Sequence, residues 1–367
     1  MHISDSIRNS LSKWIEGSGP YQDVVISSRI RLARNLEEYP FPGKLTAEMQ
    51  KEVVEKIDAA IREASVEEKT GKLHTVWLRD LPAIQRQVFV EKHLISPHHA
   101  DVNGQTAKAV ILRDDEAVAI MVNEEDHLRI QALLPGLQLE EALALASDVD
   151  TVLEALLPFA YDEKFGYLTS CPTNAGTGLR ASVMVHLPGL MMTKQISKVL
   201  SILSQVGLAV RGSHGEGTEA KGNLFQISNQ ITLGRAEFEI IRDLSGVTKQ
   251  LIEQERAARD LLLESKDMAL RLNDRIYRSL GILSNARIIS TGEALGLLSE
   301  LRMGIDMGLV KDIDAKTVGE LMVLIRPAYI QYILGEDLSN EERDVVRAEL
   351  IRKSLNENRQ QDGGVDK

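Results

Sequence analysis

The chain has 367 residues, a formal net charge of −11 and 43% hydrophobic residues, a composition typical of soluble globular proteins with room for more than one domain. The acidic balance argues against sequence-independent binding of nucleic acid, which needs a basic surface. No apolar run reaches the roughly 20 residues of a membrane helix, and the N-terminal segment lacks the apolar core of a signal peptide. The one cysteine, Cys171, excludes an intrachain disulfide and a four-cysteine zinc site, and it favours a reducing, cytoplasmic location.

The first 235 residues show alternating strand and helix patterns. Short β-branched runs predict strands over residues 23–26, 109–112, 117–122, 208–211 and 225–233. The tight connection at 113–116 predicts an antiparallel hairpin. Apolar residues at helical spacing predict helices over 46–64 and 139–157.

The pattern becomes helical from about residue 236 onward. Further helices are predicted over 292–307, 315–325 and 340–355, with Pro327 separating the last two. The sequence therefore predicts an α+β chain. A domain of mainly antiparallel sheet flanked by helices covers residues 1–255, an all-helical domain covers 256–360, and a polar tail covers 361–367.

Arginines alternate in the first charged segment, SSRIRLARN at 27–35. On an extended segment, Arg29 and Arg31 point to the same face. Two guanidinium groups on one face form a fork-shaped site suited to phosphate oxygens. The alternative interpretation is an edge strand with solvated arginines.

The second charged segment, NEEDHLR at 123–129, directly follows an apolar strand. Three consecutive acids at a strand end are usually a solvated turn. Arg129 follows them closely, however, and a site for an anionic nucleotide and a cationic substrate needs both signs of charge.

Cys171 opens the third segment, CPTNAGTGLR at 171–180. We expect a turn rich in proline, asparagine and glycine, followed by a helix through Arg180 and Met184. A helix N-terminus in that position attracts anions and activates a thiol. The alternative interpretation is that Cys171 is an inert core residue.

A glycine-rich loop, RGSHGEGT at 211–218, follows a predicted strand and carries one acid, Glu216. Its pattern is typical of a flexible loop that covers phosphates. It does not match a Walker A motif, and the glycine-rich, HRD and DFG motifs of protein kinases are absent from the sequence. If the chain uses ATP, arginines must bind the phosphates.

Four motifs together, SRIR at 28–31, NEEDHLR at 123–129, CPTN with the following GT at 171–177 and RGxxGE at 211–216, resemble the phosphagen (guanidino) kinases, to which arginine kinase and creatine kinase belong. The resemblance covers about residues 23–234. It implies a phosphagen-kinase-type catalytic domain that uses ATP and Mg²⁺, the metal being held mainly by the nucleotide phosphates and by no dedicated protein site. The nucleotide-binding residues that it implies are Ser27, Ser28, Arg29, Ile30, Arg31, His93, Arg129, Arg180, Ala181, Ser182, Val183, Met184, Arg211, Gly212, Ser213, His214 and Gly215.

The same resemblance assigns the catalytic residues. Glu125 and Glu216 grip the guanidinium of the acceptor, and Glu125 is the candidate general base. Cys171 as a thiolate places negative charge near the guanidinium.

Two departures from the phosphagen kinases make the chain more similar to the bacterial protein-arginine kinases. Only about twenty residues precede the first arginine motif, where phosphagen kinases carry an all-helical domain, and a helical region follows the catalytic portion. RDVVRA at 343–348 is similar to a motif that binds phosphoarginine through the positions of Arg343, Asp344, Arg347 and Ala348. Arg343 and Arg347 at i and i+4 lie on one helical face, although an ordinary exposed helix can begin in the same way.

This resemblance implies partners as well. They are protein substrates with exposed arginines, an activator protein, a Clp-type ATPase or protease, a heat-shock repressor and a second copy of the chain in a homodimer. A small-molecule guanidino kinase and a non-catalytic adaptor that reads phosphoarginine are the alternatives.

Overall fold

A computed structural model describes residues 12–102, 106–212 and 221–362 of the chain. Its strands are β1 (Val25–Arg34), β2 (Leu73–Trp77), β3 (Ala109–Arg113), β4 (Val118–Val122), β5 (Leu128–Pro135), β6 (Tyr161–Asp162), β7 (Gly166–Tyr167), β8 (Leu179–His186), β9 (Leu208–Gly212) and β10 (Leu224–Asn229). Within the described residues, eight of them form one antiparallel sheet in the order β2-β3-β4-β5-β1-β8-β10-β9, and β6 pairs with β7 separately.

The helices lie around and after this sheet. They are α1 (Ala47–Ile61), α2 (Ala64–Thr70), α3 (Ala83–Glu91), α4 (Pro97–Ala100), α5 (Leu139–Glu154), α6 (Pro188–Met192), α7 (Ile196–Gln205), α8 (Glu237–Leu261), α9 (Lys266–Asn285), α10 (Thr291–Asp306), α11 (Ala315–Leu324), α12 (Pro327–Leu334) and α13 (Asn340–Asp362). Among the described residues, none of these helices combines the length and the apolar character needed to span a membrane.

One face of the sheet carries the main hydrophobic core. The two-residue period of a strand places Ile30 and Leu32 of β1 on this face, where both are fully buried. Ile130, Val183 and other apolar residues of the neighbouring strands lie on the same face. Helices α1, α5 and α8 pack over all of these side chains. Each such side chain contributes roughly 1.5–3 kcal/mol by leaving water, so the pattern fixes which residues of β1 point away from the core.

The opposite face is covered only in part. At the β2–β5 end, Val110 and Met121 pack with Phe89 of α3 and with Tyr329 of α12. The centre of this face instead carries arginine side chains, and we call it the arginine face. A third hydrophobic cluster joins α9, α10, α11 and α13 around Ile276 and Leu298.

The predicted antiparallel sheet with flanking helices and the helical C-terminal region are confirmed. Strands lie at four of the five predicted positions with small shifts, and the hairpin at 113–116 joins β3 to β4. The remaining predicted strand, at 23–26, is only the start of β1, which continues to Arg34 in the interior of the sheet. The alternative of an edge strand with solvated arginines is therefore wrong.

The helix predicted through Arg180 and Met184 is wrong, because these residues belong to β8. Leu179, Ala181 and Val183 are buried in the core, whereas the residues between them face the other side. This alternation is the two-residue period of a strand, and β1 and β10 supply hydrogen-bond partners on both edges. Cys171 is followed by a single 3₁₀ turn, Pro172–Asn174, and not by a helix N-terminus.

Pro327 lies between the two predicted helices, as expected, and it also begins a further helix. It occupies the first turn of α12, a position where its missing N–H costs nothing. Helix α12 was not predicted, because its short apolar run follows α11 after only two residues.

A buried ion pair links helix α5 to the end of β1. Arg34 Nη2 lies 2.7 Å from Asp150 Oδ2, and Arg34 Nη1 donates to the carbonyl of Thr177 at 3.0 Å. A Cβ at Gly178 would lie 2.5 Å from Arg34 Nη1, and Gly178 has a φ of +68°, so glycine is required beside this arginine. Arg34 thus holds together α5, β1 and the turn before β8.

We expect Asp150→Ala to lower the free energy of unfolding by about 3 kcal/mol, because it leaves a buried guanidinium without its carboxylate. Asp148→Ala removes an exposed carboxylate from the same helix and is expected to change stability by less than about 0.5 kcal/mol. Denaturant unfolding of both variants measures the difference. Equal stability of the two variants would show that the ion pair is not needed.

Candidate active site

The arginine face brings together cations from three strands. Arg29 and Arg31 come from β1, and Arg31 lies directly opposite Arg180 of β8. On the other side, Arg129 of β5 lies opposite Ala33, two residues further along β1 than Arg31. Like charges directly opposite each other destabilise a sheet, so this arrangement indicates a site that binds an anion.

The hydrogen-bond partners of Arg29 and Arg180 are neutral and leave their charges uncompensated, whereas Arg129 pairs with carboxylates. Arg29 donates to Ser182 Oγ at 3.3 Å and to Gln226 Oε1 at 2.6 Å. Arg180 donates to Ser228 Oγ at 3.3 Å. The Nε atoms of Arg31 and Arg180 are buried without a hydrogen-bond partner among the described residues. Buried donors of this kind usually have a ligand or a water to bind.

The pKa values of the cluster express the same excess of positive charge. Burial, followed by Arg129 and Arg180, lowers the pKa of Arg29 to about 10. Burial and the three neighbouring arginines hold the pKa of Arg31 well below its usual value, although Glu124 opposes the shift. An anion bound here opposes the part of these shifts that comes from the neighbouring arginines, because an opposite charge favours the protonated guanidinium.

Arg211 extends the cluster to the edge of the sheet. It lies opposite Gln226 on the β9–β10 pair, on the same face as Arg29. Burial lowers the pKa of Arg180, and Arg211 and Arg129 lower it further, whereas Cys171 and Glu125 oppose the shift. Arg180 is therefore within electrostatic reach of both the acidic segment and the cysteine.

The acidic segment divides into two pairs with different surroundings. Glu124 and Glu125 both contact Arg129, at 2.6 and 3.3 Å, and the Glu124 side chain is 5% exposed where that of Glu125 is 43% exposed. Burial would raise the pKa of Glu124, but Arg129 and a hydrogen bond from Ser96 Oγ outweigh it, so this pKa is lowered. Glu124 stays ionised and fixes Arg129, and Glu125 remains accessible from solvent.

Asp126 and His127, the second pair, are buried and structural. Asp126 Oδ1 accepts hydrogen bonds from Asn35 Nδ2 and from the backbone N–H of Ser170, both at 2.7 Å. His127 Nδ1 accepts from the N–H of Leu36 at 3.0 Å, and burial lowers the pKa of His127 to about 4. This pair ties the turn that precedes Cys171 to the end of β1.

Cys171 directly follows Ser170 and is half-buried, with Sγ 3.0 Å from Thr173 Oγ1. Thr232 Oγ1 donates to the carbonyls of Thr173 and Ala175, at 3.0 and 2.7 Å, and holds the turn from the far side. Cys171 is therefore not a core residue, and it lies within electrostatic reach of Arg180.

The other residues implied for the nucleotide fall on both faces. Ser182 and Met184 lie on the arginine face, and with Ser27 and His93 they line a small cavity beside Arg29. The side chains of Ile30, Ala181 and Val183 lie in the core on the other face. Ser28 is fully buried, and its hydroxyl donates to the carbonyl of Gly136 at 2.8 Å. Of these four residues only the backbone is left to contact a nucleotide.

His93 has a well-defined environment. Its φ of +59° is unusual for a residue other than glycine. The carbonyl of His93 accepts from Gln131 Nε2 at 2.9 Å, and its ring packs edge-on against Trp14 with 5.5 Å between centroids. A cleft of about 410 Å³ runs from His93 to Arg29 and Arg31.

Glu216, Ser213, His214 and Gly215 lie outside the described residues. Gly212 is described and ends β9 beside Arg211. Within the described part of the chain, no group of three or more His, Cys, Asp or Glu side chains is arranged to hold a metal ion.

The RDVVRA segment lies in the first two turns of α13. Arg343 is half-buried and donates to Asn340 Oδ1. Arg347 is 1% exposed, and it donates to the carbonyls of Ile325 and Ile289 at 2.8 and 2.9 Å and pairs with Asp344. Ala348 is buried in the helical cluster. The two arginines therefore have different surroundings despite their i, i+4 spacing.

Two residues of the site had no role assigned from the sequence. Glu124 belongs to a recognised motif, but only its burial beside Ser96 and Arg129 distinguishes it from Glu125. Gln226 contacts Arg29 across two strands, and no local pattern marks it.

Comparison with known proteins agrees with this geometry. Residues 52–258 match the family of the ATP:guanido phosphotransferase C-terminal catalytic domain, and residues 269–364 match the Protein-arginine kinase McsB C-terminal domain. The protein-arginine kinase of Halothermothrix orenii is 53% identical over 97% of this chain and 100% of its own length. That of Geobacillus stearothermophilus is 47% identical over 97% of this chain and 96% of its own length.

Solved structures share the fold at lower identity. A lombricine kinase has a TM-score of 0.54 and 24% identity over 71% of this chain and 72% of its own. The substrate-free duplicated taurocyamine kinase of Schistosoma mansoni has a TM-score of 0.57 and 21% identity over 83% of this chain and 50% of its own. The fold, the two matched families and the near full-length relatives agree, and the chain belongs to the ATP:guanido phosphotransferase (phosphagen kinase) family, among the protein-arginine kinases.

Proposed function

We propose that the chain transfers the γ-phosphoryl group of ATP to the guanidinium group of arginine side chains in proteins. The observation that carries the proposal is the arginine cluster, in which Arg29, Arg31 and Arg180 lie together, with an accessible carboxylate, Glu125, and a thiol, Cys171, within electrostatic reach of Arg180. The cluster suits a triphosphate, and the carboxylate suits a guanidinium, so both substrates are matched by charge.

Positioning and charge neutralisation are the main requirements of phosphoryl transfer. Arg29, Arg31 and Arg180 offer donors in a buried setting, where each charge–charge interaction is stronger than in water. Arg129 is oriented by Glu124, and Arg211 lies beside Arg180. Mg²⁺ accompanies the nucleotide in this proposal and supplies charge neutralisation between its phosphates.

Glu125 is the group that receives the acceptor. A guanidinium is a poor nucleophile, because it is a cation that stays protonated in neutral water and its nitrogens have no free lone pair. As the N–P bond forms and the bond from the γ-phosphorus to the bridging oxygen breaks, one N–H proton passes to the Glu125 carboxylate. On the sequence resemblance, Glu216 grips the same guanidinium, and the thiolate of Cys171 adds negative charge beside it.

Accessibility favours a protein as the acceptor. The Glu125 side chain is 43% exposed at the rim of the sheet, so an arginine on a protein surface can reach it. The relatives with near full-length similarity are named protein-arginine kinases. A small free guanidino compound is the competing acceptor, and the assay below separates the two.

The helical C-terminal region is proposed to read the product. Arg343, half-buried near the start of α13, is the arginine available to a phosphoryl group, with Asp344 beside it. Arg347 and Ala348 hold the helix in place from the buried side.

The resemblance to bacterial protein-arginine kinases extends the proposal to the biological role. On that basis the chain works in the cytoplasm as a homodimer, in the stress response, with an activator protein. It marks clients for a Clp-type ATPase or protease and inactivates a heat-shock repressor, and bound phosphoarginine regulates it allosterically.

Transfer of label from γ-labelled ATP with Mg²⁺ tests the activity directly. We expect acid-labile label on an arginine-rich unstructured protein and little on free arginine, because N–P bonds hydrolyse in acid. Label on free arginine alone would indicate a small-molecule guanidino kinase. Retention of phosphoarginine binding without any transfer, even with the activator present, would support a non-catalytic adaptor.

Glu125→Gln is expected to lower kcat by about 100-fold or more, because the proton loses its acceptor, with little change in the KM for ATP. Glu124→Gln is expected to raise the KM for ATP instead, because Arg129 loses its partner at 2.6 Å. Cys171→Ala should reduce kcat less than Glu125→Gln. Steady-state kinetics distinguish these patterns, and a kcat of Glu125→Gln close to the wild-type value would contradict the role of general base.

Arg343→Ala is expected to abolish binding of phosphoarginine with little effect on the melting temperature, since its side chain is only half-buried and its hydrogen bond is to Asn340 in the same helix. Arg347→Ala is expected to lower the melting temperature, because two buried carbonyls lose their donor. Lys353→Ala removes an exposed cation from the same helix and serves as the control. Unchanged binding in Arg343→Ala contradicts this part of the proposal.

A further inference from the structure

The cleft beside the arginine cluster is lined in part by the helical C-terminal region. Arg29 and Arg31 of the sheet and His93 line it, and so do Arg326 and Pro327, which lie at the start of α12. Its volume of about 410 Å³ lies within the range of small-molecule sites. The catalytic domain model matched by the chain ends at residue 258, so this part of the cleft comes from outside it.

Arg326 is held in place by its own chain. It is 8% exposed, and its Nε donates to the carbonyl of Met322 at 3.0 Å. The next residues are fixed to helix α3, because the Glu91 carboxylate accepts the backbone N–H groups of Ala328 and Tyr329, both at 2.9 Å. Arg326 therefore has a defined position among the residues that line the cleft.

We propose that Arg326 is a nucleotide-binding residue that contacts the phosphates of ATP from the side of the helical region. This inference deepens the proposed function and rests on it, because it takes the cleft as the ATP site. An arginine is suited to the role, since its planar fork offers paired donors to phosphate oxygens.

The charges that line the cleft favour an anionic ligand. Three arginines, Arg29, Arg31 and Arg326, face one carboxylate, that of Glu91. Both oxygens of Glu91 already accept hydrogen bonds from the start of α12, and its charge also acts on Arg347. Burial lowers the pKa of Arg326 to about 10, and Glu91 opposes this shift only in part. The lining thus retains net positive charge for a ligand to neutralise.

Binding of MgATP to the full chain, measured by titration calorimetry, tests the inference. Arg326→Gln is expected to weaken binding by about 10-fold or more, the effect of losing a charged hydrogen bond. Arg326→Lys loses the same bond to Met322 and the paired donors but keeps the charge, so it is expected to weaken binding clearly less than Arg326→Gln does. Lys311→Gln removes an exposed cation from the loop before α11 and should bind as the wild type does.

Two outcomes overturn the inference while the proposed function stands. The first outcome is that Arg326→Gln binds MgATP as tightly as the wild type. The second is that Arg326→Gln and Arg326→Lys lose affinity equally, which would indicate a purely structural role for the bond to Met322. Arg31→Gln provides the reference for the sheet side of the site. If the wild type fails to bind MgATP, or Arg31→Gln binds it normally, the proposed nucleotide site itself is wrong.

Discussion

Arg31 and Arg180 lie directly opposite each other on adjacent strands in the middle of the sheet, and the rest of the site depends on this like-charge pair. The pair costs stability in the free protein, because both guanidinium groups are partly desolvated beside Arg29 and Arg129. The buried core on the other face of the sheet holds the strands in register, and its stabilising free energy offsets this cost. A triphosphate relieves the repulsion, so the energy stored in the free site favours binding of the nucleotide.

The two-residue period of the strands explains how one short motif serves both stability and chemistry. In β1, Ile30 and Leu32 enter the core while Arg29 and Arg31 face the cleft. The acidic segment at 123–129 also combines residues of the site with residues that stabilise the fold, although its acids lie in a turn and not in a strand. Glu124 and Glu125 contact Arg129, whereas Asp126 and His127 turn inward and hold the cysteine turn against β1. Residues adjacent in sequence therefore differ in role because the backbone sends them to different environments.

Local patterns sufficed for the parts of the fold and site that depend on local rules. The helices α1, α5, α10 and α11 show clear periodicity, and the arginine and acidic motifs lie where two strands and a turn place them. The helix predicted through Arg180 is wrong because the alternating burial of Leu179, Ala181 and Val183 is that of a strand, although a glycine-rich turn precedes it. Gln226 and Arg326 could not be found from the sequence, because only tertiary structure places Gln226 against Arg29 and Arg326 in the lining of the cleft. The i, i+4 spacing of Arg343 and Arg347 gave no indication that one is half-buried and the other completely buried.

The position of Arg347 gives the helical region a physical route to the nucleotide cleft. Its Nε donates to the carbonyl of Ile325, the residue before Arg326 in the chain. Glu91, the last residue of α3, accepts hydrogen bonds from the start of α12. His93 follows Glu91 by two residues in the chain. A ligand that moves α13 acts on Arg347, and thereby on the backbone that carries Arg326. We propose that these contacts couple the two sites; because coupling is reciprocal, a nucleotide bound to Arg326 would then also change the affinity of α13 for phosphoarginine. In this proposal, the buried Arg347 is the structural link between product binding and ATP binding.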